Sequence, residues 1–268
     1  MAGSYSTAKG AAMSKLDSTQ RFSDRVEDYV RYRPDYPQAM LDWLHHKQGV
    51  KPDWRVADIG AGTGISSKLF LDAGHRVVAV EPNAPMRAAS ERWLGDNEDF
   101  RAVDGTAEAS GLADGSVDLV IAAQAFHWFD HAAFLKEASR ILSPRGLIAV
   151  FWNSRRLVGT PFLEGYEALL QEYGTDYLSV AERYDDDEKM AAFFGPAFRG
   201  HARFEHGQRL DYDALAGRLL SSSYAPKAGH INHEPMMLAL RRLFDACQTD
   251  GRIDFDYDTR VIVGAGHV

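Results

Sequence analysis

An apolar run that enters a glycine-rich turn, Val56-Ala-Asp58-Ile-Gly60-Ala61-Gly62-Thr63-Gly64, restricts this chain to few folds. A second apolar run follows, Val77-Val-Ala-Val80, and it closes on Glu81. Strand, tight glycine turn, helix and a second strand ending in an acid make a nucleotide-binding βαβ unit. A tight turn at a strand's carboxyl end needs positive φ, and a cofactor approaches the backbone closely only where no Cβ intrudes. A carboxylate at the end of the second strand accepts two hydrogen bonds from a ribose diol. The dinucleotide pattern G-x-G-x-x-G is not completed, because its sixth position is Ile65. What stands instead is G-x-G-x-G with Asp58 just ahead of it.

Hydrophobic period extends the pattern. Strands are expected at Arg55–Ile59, Arg76–Val80, Phe100–Val103, Val117–Ala122 and Leu147–Phe151, with helices at Ile65–Ala73, Ala84–Trp93 and Ala132–Ile141 between them. Such alternation predicts an α/β, Rossmann-like, doubly wound sheet. Gly74, Gly95 and Gly146 stop or follow helices. Upstream, Asp17 to Gln48 is helical and aromatic, and breaks at Pro34 and Pro37. Downstream the alternation is lost. Helices are expected at Phe162–Tyr173, Leu215–Ser221 and Met236–Ala246, and strands at Ala202–Leu210 and Phe255–Val263. The sheet thus has seven strands, mostly parallel with an antiparallel last one, plus a helical cap over its carboxyl edge. The Asp185-Asp-Asp-Glu188 run reads as a solvated loop or helix start. The division follows: a disordered tail at 1–16, a helical lid at 17–50, a cofactor-binding core at 51–153, and the remaining strands with the substrate cap at 154–268.

Composition narrows the classes. A net charge of −8 lacks the basic footprint of a nucleic-acid binder. One cysteine, Cys247, excludes an intramolecular disulfide and a cysteine-cluster metal site, which suits a cytoplasmic location. No apolar stretch is long enough to span a bilayer. Met1 to Ala12 has no signal-peptide core and reads as a tail or expression remnant, with Met13 as a candidate start. No metal is expected: His45-His46 and His230/His233 lack companion cysteines, and Asn153 alone suits a catechol-type site.

The run Asp58-Ile-Gly60-Ala-Gly62-Thr-Gly64 with Glu81 downstream resembles the class I S-adenosylmethionine-dependent methyltransferases. Phe126-His127-Trp128-Phe129, Glu137-Ala-Ser-Arg140-Ile-Leu-Ser-Pro144-Arg-Gly146, Phe151-Trp152-Asn153 and Tyr29-Val-Arg-Tyr-Arg33-Pro34-Asp-Tyr36-Pro37 resemble its small-molecule branch, which includes UbiE-like and trans-aconitate-methyltransferase-like enzymes. The resemblance covers residues 20 to 155 well and the remainder loosely. It implies S-adenosylmethionine as cofactor, S-adenosylhomocysteine as product, and a small-molecule acceptor methylated at O, N or C. A monomer or homodimer without nucleic-acid or membrane partners is expected.

The resemblance also assigns roles. Gly60, Ala61, Gly62, Thr63 and Gly64 wrap the amino-acid half of the cofactor, and Asp58, ionised, compensates its ammonium or orients the loop amides. Glu81 holds the ribose hydroxyls, with Pro82 beside it. Met86 packs on the adenine or in the core. Thr106, Ala107 and Glu108 occupy a run in which many relatives carry an acid for the adenine amine, and Asp104 is the fallback. Gln124 and Phe126 end the fourth strand at the cofactor's reactive end. Tyr29 and Arg33 belong to the lid, where Arg33 meets the cofactor carboxylate, an acidic substrate, or a surface acid such as Asp35 or Asp28.

His127 is the candidate base, since a hydroxyl or phenol nucleophile must lose a proton and histidine titrates in the right range. It competes with a role in anchoring the strand end. Tyr36, Trp128, Trp152, Asn153 and Tyr224 are candidate acceptor contacts, and aromatic faces at Tyr29, Tyr36, Trp128 and Trp152 suit a sulfonium. A cofactor-binding relative that transfers no methyl is the alternative. A dinucleotide enzyme is disfavoured by Ile65, and no G-x-S-x-G supports a serine hydrolase.

Overall fold

The computed structural model describes residues 32–175, 177 and 192–267. The chain enters through an extended segment at Pro34–Pro37, where two prolines forbid helix, and then forms α1 (Gln38–Gln48). There follow β1 (Arg55–Ile59), α2 (Ile65–Asp72), β2 (Arg76–Val80), α3 (Ala84–Leu94), β3 (Phe100–Val103), β4 (Val117–Ala123), α4 (His131–Ile141) and β5 (Leu142–Arg155). The remainder supplies α5 (Pro161–Tyr173), β6 (Phe198–Leu210), α6 (Tyr212–Leu220), α7 (His233–Cys247) and β7 (Ile253–Ala265). Short 3-10 turns lie at Phe126–Trp128 and Gly195–Ala197.

The seven strands lie in the order β3-β2-β1-β4-β5-β7-β6. β1 to β5 pair in parallel, and β7 inserts antiparallel between β5 and β6. This is the expected Rossmann-like sheet with its antiparallel last strand. Strand order reverses between β1 and β4, which opens the crevice where ligands bind in such sheets.

Side chains alternate between two buried layers. Val56, Leu119, Ile121, Phe151 and Val261 face α1 and α2, while Ala57, Ile59, Val120, Val150 and Ile262 face α4. Burial on both faces is why these strands read as continuous apolar runs. A third cluster forms the cap: Phe162, Tyr166 and Leu170 of α5, Leu215 and Leu219 of α6, and Met236 and Leu240 of α7 close on Phe255 and Tyr257 of β7. β7 therefore belongs to both the sheet and the cap.

One boundary that differs from the sequence reading is the start of β5. β5 begins directly at Leu142, so Gly146 lies within a strand rather than behind a helix. A Cβ there would meet Leu142 Cδ2 at 2.6 Å, so close packing, not helix termination, is its use. Gly95 ends α3 with φ −65, an ordinary helical value. The tail, residues 17–31 of the lid, and the Asp185–Glu188 run fall outside the described residues. No described helix is long and apolar enough to cross a membrane.

Candidate active site

The carboxyl ends of β1, β2 and β4 meet at the crevice. Gly60 and Ala61 continue the β1–β2 ladder by donating to the Val80 carbonyl at 2.8 and 3.3 Å. The chain then turns sharply, with Gly60 at φ +69 and Gly62 at φ +57. A Cβ on Gly60 would lie 2.7 Å from Ala125 Cβ, so both the conformation and the close approach require glycine there. Gly64 caps α2 in the same region of φ and packs against Leu94, which gives it a packing role in addition to the expected cofactor role.

Glu81 organises this loop. It is 7% exposed, and its two carboxylate oxygens accept from the backbone N–H of Gly62 and of Asn83, each at 2.8 Å. Burial raises its pKa above the ordinary value, against the pull of those two N–H donors. Each oxygen retains a lone pair for a ribose hydroxyl. Arg87 donates to the Glu81 carbonyl at 2.6 Å and fixes the strand end.

Asp58 is fully buried on β1. One oxygen, Oδ2, accepts from the hydroxyls of Ser66 and Ser67, at 2.6 and 2.7 Å, in the first turn of α2. The other, Oδ1, is buried with no hydrogen-bond partner, as is the Thr63 hydroxyl. Burial pushes the Asp58 carboxyl up to about 6, with the serine hydroxyls opposing it. At about 6 the group still loses its proton below neutral pH, though nearer to it than an ordinary aspartate does. The physical reason is desolvation without a cation.

A cleft opens here, lined by Gly60 to Thr63, Ile65, Ser66, Ala123, Gln124 and, from the other side, Arg33, Pro34 and Tyr36. Gln124 holds φ +56, rare for a residue with a side chain, at the end of β4. Its N–H donates to the Phe151 carbonyl at 3.0 Å and its side-chain amide to the Asn153 carbonyl at 3.4 Å. Tyr36 packs edge-on against Phe151, with centroids 4.8 Å apart.

Asn153 pins the entering segment over this cleft. Its amide donates to the Asp35 carbonyl at 2.9 Å, and its Oδ1 accepts from Thr259 at 2.6 Å. Both ends of the side chain therefore have protein partners. Asn153→Ala leaves the buried Thr259 hydroxyl and the Asp35 carbonyl without this partner and is expected to cost about 1–3 kcal/mol. Faster amide exchange across residues 33–37, against unchanged exchange in β1 and β2, is the measurement that checks it.

The other expected residues are placed as follows. Met86 is 6% exposed, and its Cε lies 3.5 Å from where a Cβ on Gly62 would stand, so it backs the loop. Pro82 is half-buried at the turn into α3. Thr106 is exposed and its hydroxyl accepts from Ala109 N–H at 3.2 Å, while Ala107 is buried in the α4-side layer. Glu108 accepts from Asp130 N–H at 3.0 Å, and Asp104 meets Arg87 at 3.3 Å. Phe126 is 3% exposed and stacks on His131 at 4.1 Å, among Phe129, Phe134 and Phe193. His127 and Trp128 are half-buried on the following 3-10 turn, their rings 4.7 Å apart. Trp152 points to the opposite layer from Phe151, under the Arg260 guanidinium at 5.2 Å. Tyr224 lies in the cap, edge-on to Tyr177 at 5.1 Å. Tyr29 lies outside the described residues. Among the described residues, no three His, Cys, Asp or Glu side chains converge to hold a metal ion.

Ser66 and Ser67 were missed by the sequence reading, although hydroxyls in the first turn after an acid-bearing glycine loop are a usable signal. The Glu137-to-Arg140 landmark proves to be a brace. Glu137 accepts from the Ser110 N–H and hydroxyl and from Arg140, which holds its carboxyl down at about 2.

The residues present fit S-adenosylmethionine: positive-φ glycines, an orphaned buried carboxylate oxygen for a cation, and an acid for a diol. Comparisons with known proteins agree. Residues 57–150 match a family model described as "Methyltransferase domain". An uncharacterized methyltransferase of Mycobacterium tuberculosis is 39% identical over 146 residues, 53% of this chain and 56% of the relative. The match thus spans little more than half the length of that relative. A provisionally assigned type II methyltransferase structure from Anaeromyxobacter dehalogenans superposes with a TM-score of 0.65 at 24% identity, over 88% of this chain and 99% of that one. A phosphoethanolamine N-methyltransferase of Haemonchus contortus, solved with S-adenosyl-L-methionine, gives 0.56 at 14% identity, over 96% and 61%. Residues 57–150 are thus similar to methyltransferase domains, and the sheet around them is the fold of the superposed structures.

Proposed function

We propose that this protein moves a methyl group from S-adenosylmethionine to O, N or C of a small molecule by in-line displacement. The observation that carries the reading is the cleft at the β1/β4 switch point, where the unpartnered Asp58 Oδ1 and Thr63 hydroxyl meet the Gly60–Gly62 backbone held by Glu81. When bound, the cofactor supplies an electrophilic methyl on a sulfonium. The protein's task is alignment and exclusion of water. Asp58 accepts from the methionyl ammonium, and the loop amides orient the amino-acid half. Glu81 holds the ribose, with Met86 behind it. Arg33, Pro34 and Tyr36 close the cleft from the entering segment, pinned by Asn153. His127, on the turn after β4, takes the acceptor's proton where the nucleophile is a hydroxyl or phenol.

Calorimetric titration with S-adenosylmethionine and with NAD tests the cofactor, and formation of S-adenosylhomocysteine with a pool of small metabolites tests transfer. Micromolar binding of S-adenosylmethionine alone, with turnover, is the expected result. Binding without turnover over a broad pool would leave a cofactor-binding protein, and preference for NAD would sink the reading. His127→Ala is expected to lower kcat about 10²-fold or more with cofactor affinity unchanged, as loss of a general base does.

Asp58 makes cofactor binding depend on pH. A carboxyl at about 6, raised from 3.8, holds its proton below about pH 6 in the free protein, and an adjacent ammonium pulls that value down again. Affinity should therefore rise as pH climbs through about 6 and level off above. Stability of the free protein has the opposite slope. A folded-state pKa raised above the unfolded one stabilises at low pH, and that contribution is lost between about pH 4 and 6. Asp58→Asn is expected to flatten both slopes, measured by calorimetry and by thermal melts from pH 5 to 8.

A further inference from the structure

The cap contains a buried guanidinium that no acid among the described residues neutralises. Arg218, near the end of α6, is 6% exposed. Its Nε donates to the Tyr257 hydroxyl at 3.0 Å and its Nη1 to the Ser222 hydroxyl at 3.1 Å. Among the described residues, its Nη2 makes no hydrogen bond and no carboxylate pairs with it. Arg155, in the same cap, is the contrast: it is ion-paired with Glu167, which also accepts from Tyr177. Arg218 instead lies over the rings of Phe255 and Tyr257, at 5.7 and 5.8 Å. Aromatic faces and two neutral hydroxyls satisfy part of a cation's field but leave the Nη2 end of the fork without an acceptor. A buried charge held this way is ordinarily compensated by an anion.

A second group beside it lacks its partner too. Tyr166 is 1% exposed and its hydroxyl makes no hydrogen bond. Its ring packs edge-on to the same Phe255, at 5.0 Å. A donor without an acceptor and a cation without an anion thus flank one ring. The local field is positive: burial raises the Tyr224 phenol, yet Arg218, a hydrogen bond with Ser222, and then Arg33 and Arg155 together outweigh burial and hold it below its ordinary value. The cluster also adjoins the cofactor cleft. Arg33 lines that cleft and donates to the Ser221 carbonyl at 2.9 Å, one residue from the Ser222 that holds Arg218.

We propose that Arg218 and the Tyr166 hydroxyl form a subsite for a monoanionic oxyanion group, of the carboxylate kind, on the methyl acceptor. This rests on the methyl-transfer reading and names the substrate class. One uncompensated guanidinium matches a single negative charge and not a phosphate dianion. Arg218 is a positioning residue that sets which molecules enter and how they lie.

The test is calorimetric. The protein is first titrated with S-adenosylhomocysteine. Once saturated, it is titrated with a panel of aliphatic and aromatic carboxylates, their primary amides, and matching phosphate monoesters. The expected result is that the best acids bind at least tenfold tighter than their amides and tighter than the monoesters. Arg218→Met should abolish that preference and Tyr166→Phe reduce it several-fold, with S-adenosylhomocysteine affinity unchanged in both. Tyr166→Phe removes an unpaired hydroxyl, so it is expected to fold as the parent does. Equal binding of acids and amides, binding of neither, a preference for monoesters, or a preference that survives both substitutions would overturn the assignment. Failure of S-adenosylhomocysteine to bind would instead remove the methyl-transfer reading on which it stands, and the subsite with it.

Discussion

Glu81→Ala is expected to weaken S-adenosylmethionine binding by about 100-fold or more while leaving the fold intact. The effect has two sources. The carboxylate accepts from Gly62 and Asn83 N–H at 2.8 Å each, so its removal strands two donors in a buried turn. A buried donor without its partner costs about 1–3 kcal/mol, and about 1.4 kcal/mol is a factor of ten in affinity. On the proposed reading the cofactor also loses the acceptor for its ribose diol. Glu81→Gln separates the two contributions. Its amide keeps one acceptor oxygen but presents an NH₂ to the other N–H, so an intermediate loss of about tenfold is expected. Calorimetry on both variants, with far-UV circular dichroism as the folding control, decides the matter. Unchanged affinity in Glu81→Ala would mean that the acid braces nothing the cofactor needs.

Gly60→Ala is expected to cost about 2–4 kcal/mol of stability and to abolish cofactor binding. At φ +69 an L side chain is strained by about 1 kcal/mol, and the new Cβ overlaps Ala125 Cβ at 2.7 Å and crowds Phe129 at 3.2 Å. Overpacking of this kind adds about 1–3 kcal/mol. In a chain of this size each kcal/mol lowers Tm by about 2–4 °C. Gly74→Ala is the matched control. Its φ of +88 is equally left-handed, but nothing lies within 4 Å of the added Cβ, so only the conformational strain of about 1 kcal/mol remains. Thermal melts of the two variants should therefore differ although both replace a positive-φ glycine. Equal melting temperatures would show that the Gly60 turn relaxes around the methyl.

The strands of the parallel core were readable because each is buried on both faces and ends on punctuation. β1, β2 and β3 have the boundaries that the apolar runs Arg55–Ile59, Arg76–Val80 and Phe100–Val103 predict. The ends of β5 were less readable. Leu142 to Gly146 contains Pro144 and Arg145, which read as a turn, yet the chain stays extended there beside Val117 of β4 and continues past Phe151 to Arg155. Local pattern also misjudged β6, which begins at Phe198 rather than Ala202, because its first residues are held by pairing with β7 from far along the chain.

The candidate site divides along the same line. The glycine turn, Asp58 and Glu81 are close in sequence to the strands that carry them, so period and spacing alone determined their place at one sheet edge. What these groups hold was decided by tertiary structure. Which way Asp58 faces, toward Ser66 and Ser67 with one oxygen left unpaired, follows from how α2 packs on β1. That Asn153 joins Asp35 to Thr259 requires three segments more than 100 residues apart to meet. Arg218 carries no local sign at all, since on a helix it reads as an ordinary surface cation. It becomes a buried charge, with no acid beside it among the described residues, only because β7 brings Tyr257 and Phe255 beneath it. Local sequence fixes backbone conformation through sterics and burial period, whereas the electrostatic state of a side chain depends on which distant groups the fold removes from water beside it.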